Sequence, residues 1–421
     1  MYRIRADFKL TETRKRQCAW SRRSTDRTTV CGTVNPGSIP GEITLKFQNL
    51  TSLCAYSIQR YNTYMRKLII LVLSIFGFSL TYSLASAHEA YVLPYQTFWE
   101  GMKQSFSGHA FDALKVSGNV HITVMIVISV LILLAINFLF RLSPLGQRAW
   151  SFLERYAHFG PHFVRITIAV ALFFSAASNT FLGPELHASA FPFPHLLQIT
   201  LFAMSGMIAV GFFTELAAFV GIVIFITGMF VYGPYMFTYL NYLGELIVLF
   251  LFGMRVFSLD KYIFGPLRRF TSFEKYETVI VRVLYGLALV YAAITVKLLH
   301  PDLTINVVTT WNLTQFHWLF PSDPLLVTLG AGIVEAVIGI FIIFGFEMRL
   351  TILISLFYIT LSLLFFRELV WPHLMLYGIS FNLLLQPEIF TLDHIFFSHH
   401  RKEKAWWKRP FLSHNKKGKS S

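Results

Sequence analysis

Cysteine is nearly missing from this sequence: Cys18, Cys31 and Cys54 are the only three, and none follows position 54. The long remainder therefore offers no thiol for a disulfide, a CxxC redox pair, an iron–sulfur cluster or a thiolate-bound haem, so any redox role there needs a bound cofactor or a partner. Charge is scarce as well. Charged residues make up 14% of the chain, against roughly a quarter in soluble domains. No phosphate loop, nucleophile elbow, zinc-protease motif or dinucleotide fingerprint stands in a suitable strand and helix context, which leaves hydrolase, ATPase and Rossmann readings without support.

What fills the sequence instead is apolar: 55% hydrophobic residues, with 43 phenylalanines among them. This is a membrane composition. The net charge of +14 is concentrated at the two ends. Residues 1–64 hold 11 Lys/Arg against 4 Asp/Glu, the tail from His399 holds 8 against 1, and residues 88–398 hold 15 against 17. The part between is close to neutral, and nucleic-acid binding is not expected. In the tail, Trp406, Trp407 and Phe411 interleave with basic residues, as in a cytosolic anchor attracted to anionic lipid.

Residues 65–87 read MRKLIILVLSIFGFSLTYSLASA, a basic start, an apolar run and a small-x-small end at Ala85-Ser86-Ala87. This is the pattern of a secretory signal peptide. The 64 polar, Arg-rich residues before it read as upstream sequence, with Met65 as the start of the protein. A cytosolic extension that keeps residues 68–84 as a signal anchor, or a small basic domain, are the alternatives. Cleavage after Ala87 would leave His88 as the mature N-terminus, whose amine and imidazole together suit one copper ion; an ordinary residue left by cleavage is the plainer reading.

Apolar runs long enough to cross about 30 Å of hydrocarbon lie near 119–140, 164–182, 196–213, 215–232, 240–257, 279–299, 326–344, 349–366 and 372–386. The expectation is an all-α polytopic membrane protein with about nine transmembrane helices after the signal peptide. With the mature N-terminus outside, Arg141, Arg148, Arg155 and Arg165, then Arg255, Lys261, Arg268, Arg269 and Lys275, then Arg349 and the tail, all fall in the cytosol. Residues 183–195 and 300–325 carry no Lys or Arg. The positive-inside rule thus agrees with the signal peptide on a bacterial-type inner membrane and a cytosolic C-terminus. Between the signal and the first span, residues 88–118 form an extracytoplasmic segment in which Phe98, Trp99, Met102 and Phe106 are spaced for an amphipathic helix on the membrane surface.

The chain also resembles itself. Arg165, Ala171, Leu172, Pro184 and Leu186 recur as Arg282, Ala288, Leu289, Pro301 and Leu303 at one constant offset. A longer outer loop then shifts the register, and Gly211-Phe212, Leu216 and Gly244 recur as Gly345-Phe346, Leu350 and Gly378. Past the fourth helix of each unit, Phe257-Ser258-Leu259-Asp260 answers Phe390-Thr391-Leu392-Asp393. Hydropathy does not explain matched loop prolines, glycines and an F-[ST]-L-D. Two tandem four-helix units are expected, at 160–257 and 279–390, with 119–140 as an added helix. Four spans per unit make the repeats parallel, related by an axis near the membrane normal.

The order of the unit, an Arg at the inner start of its first helix, then Gly332-Ile333-Val334-Glu335-Ala336-Val337-Ile338-Gly339 and a Gly345-x-x-x-Arg349 end, resembles the DoxX family of four-helix membrane proteins. The related DoxD proteins are subunits of a thiosulfate:quinone oxidoreductase, so the resemblance implies a subunit or scaffold of a quinone-linked membrane redox system, with quinone or a redox protein as partner. It covers residues 160–390 as two copies. The first copy departs from the pattern, with Leu201 in the place of Glu335 and Gln198 in that of Gly332.

Ionisable groups inside spans are functional candidates by default. Glu335 and Glu245 are expected to face a shared polar cavity, with Asn179 and Gln198 as neutral neighbours; the alternative for each is an acid bonded to a neighbouring helix. His187, His195, His300, His317 and His373 gather in or beside the outer loops with Glu185, Asp302, Asp323 and Glu368. They suit a rim for a metal or a quinone or anionic headgroup, although no two His have helical ligand spacing and aromatic belts belong at interfaces. Glu335 and His373 are the preferred catalytic pair. A proton-coupled or small-solute transporter, using Glu245 and Glu335, and an extracytoplasmic copper-handling protein, using His88, are the competing functions.

Overall fold

The chain divides into two units, residues 1–71 and 72–421. The computed structural model describes residues 93–252, 259–260, 276–316, 320–366, 368–386 and 389–397, all in the second unit. The signal segment, His88, His317 and the basic tail lie outside the described residues.

Each expected span contains a helix among the described residues. After α1 (Tyr95–Lys103), α2 (Ser117–Leu142) covers the added span and α3 (Pro144–Glu154) follows it. The first set of four is α4 (Gly160–Ala177), α5 (Pro194–Val210), α6 (Thr214–Tyr232) and α7 (Leu240–Phe252). Next come α8 (Glu277–Ala292), which runs on as a π-helical turn (Ala293–Leu298), and a short α9 (Pro301–Thr310). The second set closes with α10 (Pro324–Phe344), α11 (Met348–Phe365) and α12 (Val370–Leu385), before a last turn, α13 (Leu392–Phe397). Among the described residues six helical stretches are long and apolar enough to cross a membrane, and Pro194–Val210 and Val370–Leu385 are shorter apolar helices. Proline sits in the first turn of α4, α5, α9 and α10, where its missing amide leaves no bond unmade.

The two sets share one turn. Gly211 after α5 and Gly345 after α10 are both left-handed, at φ 73° and 63°, and end their helices as glycine can without strain. Phe213 and Glu347, also left-handed, then open α6 and α11. The amides this reversal leaves over are taken by distant carboxylates. Phe213 N and Thr214 N donate to Asp260 at 2.8 and 3.3 Å, and Glu347 N and Met348 N donate to Asp393, each at 2.8 Å. The amides of Asp260 and Asp393 return the bond to the carbonyls of Gly211 and Gly345. The repeated G-F and F-[ST]-L-D motifs are therefore two halves of one capping device.

Packing is reciprocal as well. α4 packs on α5 as α8 packs on α10, while α12 lies along α4 and α7 along α8. The fourth helix of each set thus covers the first helix of the other. At Gly286 and Gly339 the backbones of α8 and α10 come so close that a Cβ on either would lie within 2.7 Å of the other's carbonyl oxygen.

Both outer loops carry structure of their own, and α1 departs from expectation. The loop after α4 is a hairpin, β1 (Thr180–Phe181) antiparallel to β2 (Gly183–His187), turned through left-handed Leu182. The longer second loop contains α9. And α1 does not present its apolar face to a membrane surface: Phe98 is fully buried against the protein, with its ring 5.5 Å from Tyr235 and Trp99 stacked 5.7 Å from Tyr232. Only Phe106, farther along, stays exposed.

The added helix α2 has an apolar middle with no buried residue in its most hydropathic window, so its ends hold it in place. At one end Asn119 donates to Asp323 (2.6 Å), the N-cap of α10. At the other, Arg141 lies 2.7 Å from Asp393 and 3.4 Å from Glu347, and Asn137 also donates to Glu347. All three charged side chains of this cluster are almost wholly buried. Asp393→Ala removes both amide acceptors and the nearer partner of Arg141, which predicts a loss of about 3 kcal/mol or more. Asp260→Ala, at the half-buried equivalent, should lose about 1 kcal/mol. Thermal unfolding of the two variants in detergent checks this, with the larger drop in Tm expected for Asp393→Ala.

Candidate functional site

A cavity of about 220 Å³ opens among α7 to α12. Each of these helices contributes wall: Tyr242 from α7, Ala288 from α8, Thr304 from α9, Glu335 from α10, Ser355 from α11 and His373 from α12. The lining is mainly apolar, and three clusters of charged and hydrogen-bonded groups stand on or behind it.

The first is an ion pair. Lys297 Nζ lies 2.5 Å from Glu335 Oε2, and the two side chains are 7% and 10% exposed. Lys297 belongs to the π-helical turn, where one extra residue widens the helix; such turns recur at functional sites. The turn can approach α10 because residue 332 is glycine. A Cβ there would stand 2.6 Å from Leu298 and 3.3 Å from the Lys297 Cβ. Gly332 thus admits the turn, and Glu335, one helical turn on, meets the ammonium it carries.

The second cluster is His373 with Glu368. His373 Nε2 is 2.7 Å from Glu368 Oε2, and Nδ1 is 3.0 Å from the Leu369 carbonyl oxygen. Ser362 donates to the other Glu368 oxygen at 2.5 Å. Both ring nitrogens face acceptors, an arrangement that a doubly protonated imidazole satisfies.

The third comes from the β1–β2 hairpin. Glu185 Oε1 accepts from Tyr235 (3.0 Å) and from Tyr239, and both tyrosines line the cavity. Burial pushes this carboxyl up to about 7, against the opposing pull of the tyrosine hydrogen bonds.

The expected residues are only partly brought together. Glu335 and His373 share the cavity wall, but each is paired with a different residue, Lys297 and Glu368, and not with the other. Glu245 is buried on α7 and is not on the cavity wall. Asn179 and Gln198 are also outside it, hydrogen-bonded to one another. Leu201, in the place of Glu335, is packed in the core of the first set. Of the outer histidines, His187 packs edge-on against Tyr95 and His300 faces the Thr295 carbonyl at 2.6 Å. Among the described residues no three His, Cys, Asp or Glu come close enough to hold a metal ion. The rim is thus a set of separate contacts, and the copper reading rests on His88, outside the described residues.

Lys297 is the charged residue of the cavity wall that the sequence reading passed over. Its signal was a second basic residue, beyond Arg282, inside the apolar run 279–299.

Fold and cavity together define the class: a helical protein with membrane-length helices around an internal, mainly apolar cavity edged by buried ion pairs. No family model matches the chain, and neither does any curated protein or solved structure.

Removing one member of a buried pair strands the other charge in an apolar wall. Lys297→Met is therefore expected to lower stability by about 3–5 kcal/mol, and the double variant Lys297→Met with Glu335→Leu to recover most of it. Thermal unfolding of the single and double variants in one detergent gives the comparison.

Proposed function

We propose that this is a DoxX-like integral membrane protein of two tandem four-helix units that binds a quinone in the cavity of the second unit, as a subunit or scaffold of a quinone-linked membrane redox system. The observation that carries the reading is the chemistry of the wall. A quinone headgroup is a flat apolar ring with two carbonyl acceptors, and it suits a mainly apolar space with a few fixed donors. Lys297 and His373 are the residues that would hold the carbonyls, steadied by Glu335 and Glu368. Electrons would come from a partner protein, since no thiol follows Cys54. Duplication is supported by the shared left-handed turn with its capping Asp and by the reciprocal packing of α12 on α4 and α7 on α8. Nine spans in a bacterial-type inner membrane, N-terminus outside and C-terminus cytosolic, follow from hydropathy and from the arginines of the inner loops.

The second reading is a transporter for a small solute or a proton-coupled one. It is favoured by one observation, that helices of both units border the cavity, as expected where parallel repeats move against each other.

Decylubiquinone binding to the purified full chain, followed by tryptophan fluorescence, tests the leading reading. Saturable binding is expected, with at least tenfold weaker affinity in His373→Leu and in the Lys297→Met, Glu335→Leu double variant. Absence of saturable binding, or equal affinity in variants that keep their helical circular dichroism, contradicts it.

A further inference from the structure

The cavity lies mostly among helices of the second set, with α7 and the segment before it lining one side, and behind the tyrosines of that side stands an acid. Glu185 stands on β2, is 3% exposed, and takes both of its side-chain hydrogen bonds on a single oxygen, from Tyr235 and Tyr239. Its other oxygen, Oε2, is buried without a hydrogen-bond partner. Gly183 leaves the space for this arrangement, because a Cβ there would collide with the Tyr239 hydroxyl and with Oε2. Tyr235 and Tyr239 are at once the donors to Glu185 and part of the cavity wall. One hydroxyl layer therefore separates an acid from the ligand space.

We infer that Glu185 is the proton-exchanging group of the cavity, taking up a proton from solvent as a quinone binds and releasing it as the quinone leaves. The inference rests on the quinone reading for its ligand and on the hairpin geometry for its proton. An ionised Glu185 holds both tyrosine hydroxyls on Oε1. A protonated one is a weaker acceptor, and Tyr239 is then able to donate to a carbonyl in the cavity. The proton comes from bulk water, stays on the carboxyl while the ligand is bound, and no electron moves in this step. The titratable groups that face Glu185 are tyrosines: Tyr235 and Tyr239 by hydrogen bond, Tyr232 and Tyr242 through their charge when ionised. Tyr232 donates to the carbonyl of His187 on the same strand, and the His187 ring lies against Tyr95. The acid thus titrates in the neutral range without a tyrosine changing state, since a phenol ordinarily ionises well above it.

The sign follows. Protonation is complete well below pH 7 and lost above it, so quinone affinity should be higher at pH 6 than at pH 8. A coupling of the usual size for linked sites makes the difference about fivefold or more. Two measurements on the full chain in lipid nanodiscs test this. Infrared titration should show a protonated-carboxyl band that disappears near pH 7, is missing in Glu185→Gln, and shifts to higher pH in Tyr239→Phe, which removes a bond to the ionised form. Decylubiquinone affinity should fall between pH 6 and pH 8 in the wild type and stay level in Glu185→Gln. If no such band depends on Glu185, the inference is overturned. If the quinone binds with the same pH dependence in wild type and Glu185→Gln, the inference is overturned while the quinone reading stands. If the quinone does not bind the wild type at all, the quinone reading falls and the assigned coupling with it, whatever the infrared titration shows.

Discussion

A charge inside an apolar bundle is costly unless an opposite charge stands beside it, and three such pairings organise the structure. Arg141 is held by Asp393 and Glu347, Lys297 by Glu335, and His373 by Glu368. The first two tie elements far apart in the chain, and the third is local, five residues apart. The Arg141 cluster pins the far end of α2, whose middle makes no buried contact of its own, to the turn between α10 and α11. The Lys297 pair fixes the π-helical turn against α10 and so defines one wall of the cavity.

Asp393 shows how one side chain serves two demands. Its carboxylate accepts two amides from a helix start that no local residue caps, and the same carboxylate neutralises Arg141. Asp260 performs the first task in the other set. The repeated F-[ST]-L-D was visible in the sequence as a match without a reason. Its reason is a left-handed turn at Gly211 and Gly345 that leaves amides for a carboxylate more than a helix away in sequence. Helices were legible because apolar runs of membrane length and first-turn prolines are local signals. The ion pairs were not, since Lys297 and Glu335 stand 38 residues apart and Arg141 and Glu347 206 apart, and no periodicity reports such distances. The spacing that suggested α1 was read correctly as amphipathic, but it could not say whether protein or lipid covers the apolar face.

The two sets differ in what fills their interiors. In the first, Leu201, Met204 and Leu246 fill the interior. In the second, Glu335, Ser355 and His373 surround open space. At the offset that matches Gly211 with Gly345, Tyr239 stands where His373 does, and each reaches a buried carboxylate near the same end of its set, Glu185 in one and Glu368 in the other. The first set thus places an acid behind the tyrosines of the cavity wall.

On the quinone reading, the space between Lys297 and His373 receives a flat, carbonyl-bearing ring. An experimentally determined structure of the full chain in lipid nanodiscs with saturating decylubiquinone tests it most directly. The account predicts headgroup density in this cavity, with a carbonyl within hydrogen-bond distance of Lys297 or His373 and the π-helical turn retained. A cavity closed by side chains, or a quinone bound elsewhere on the protein, would contradict it.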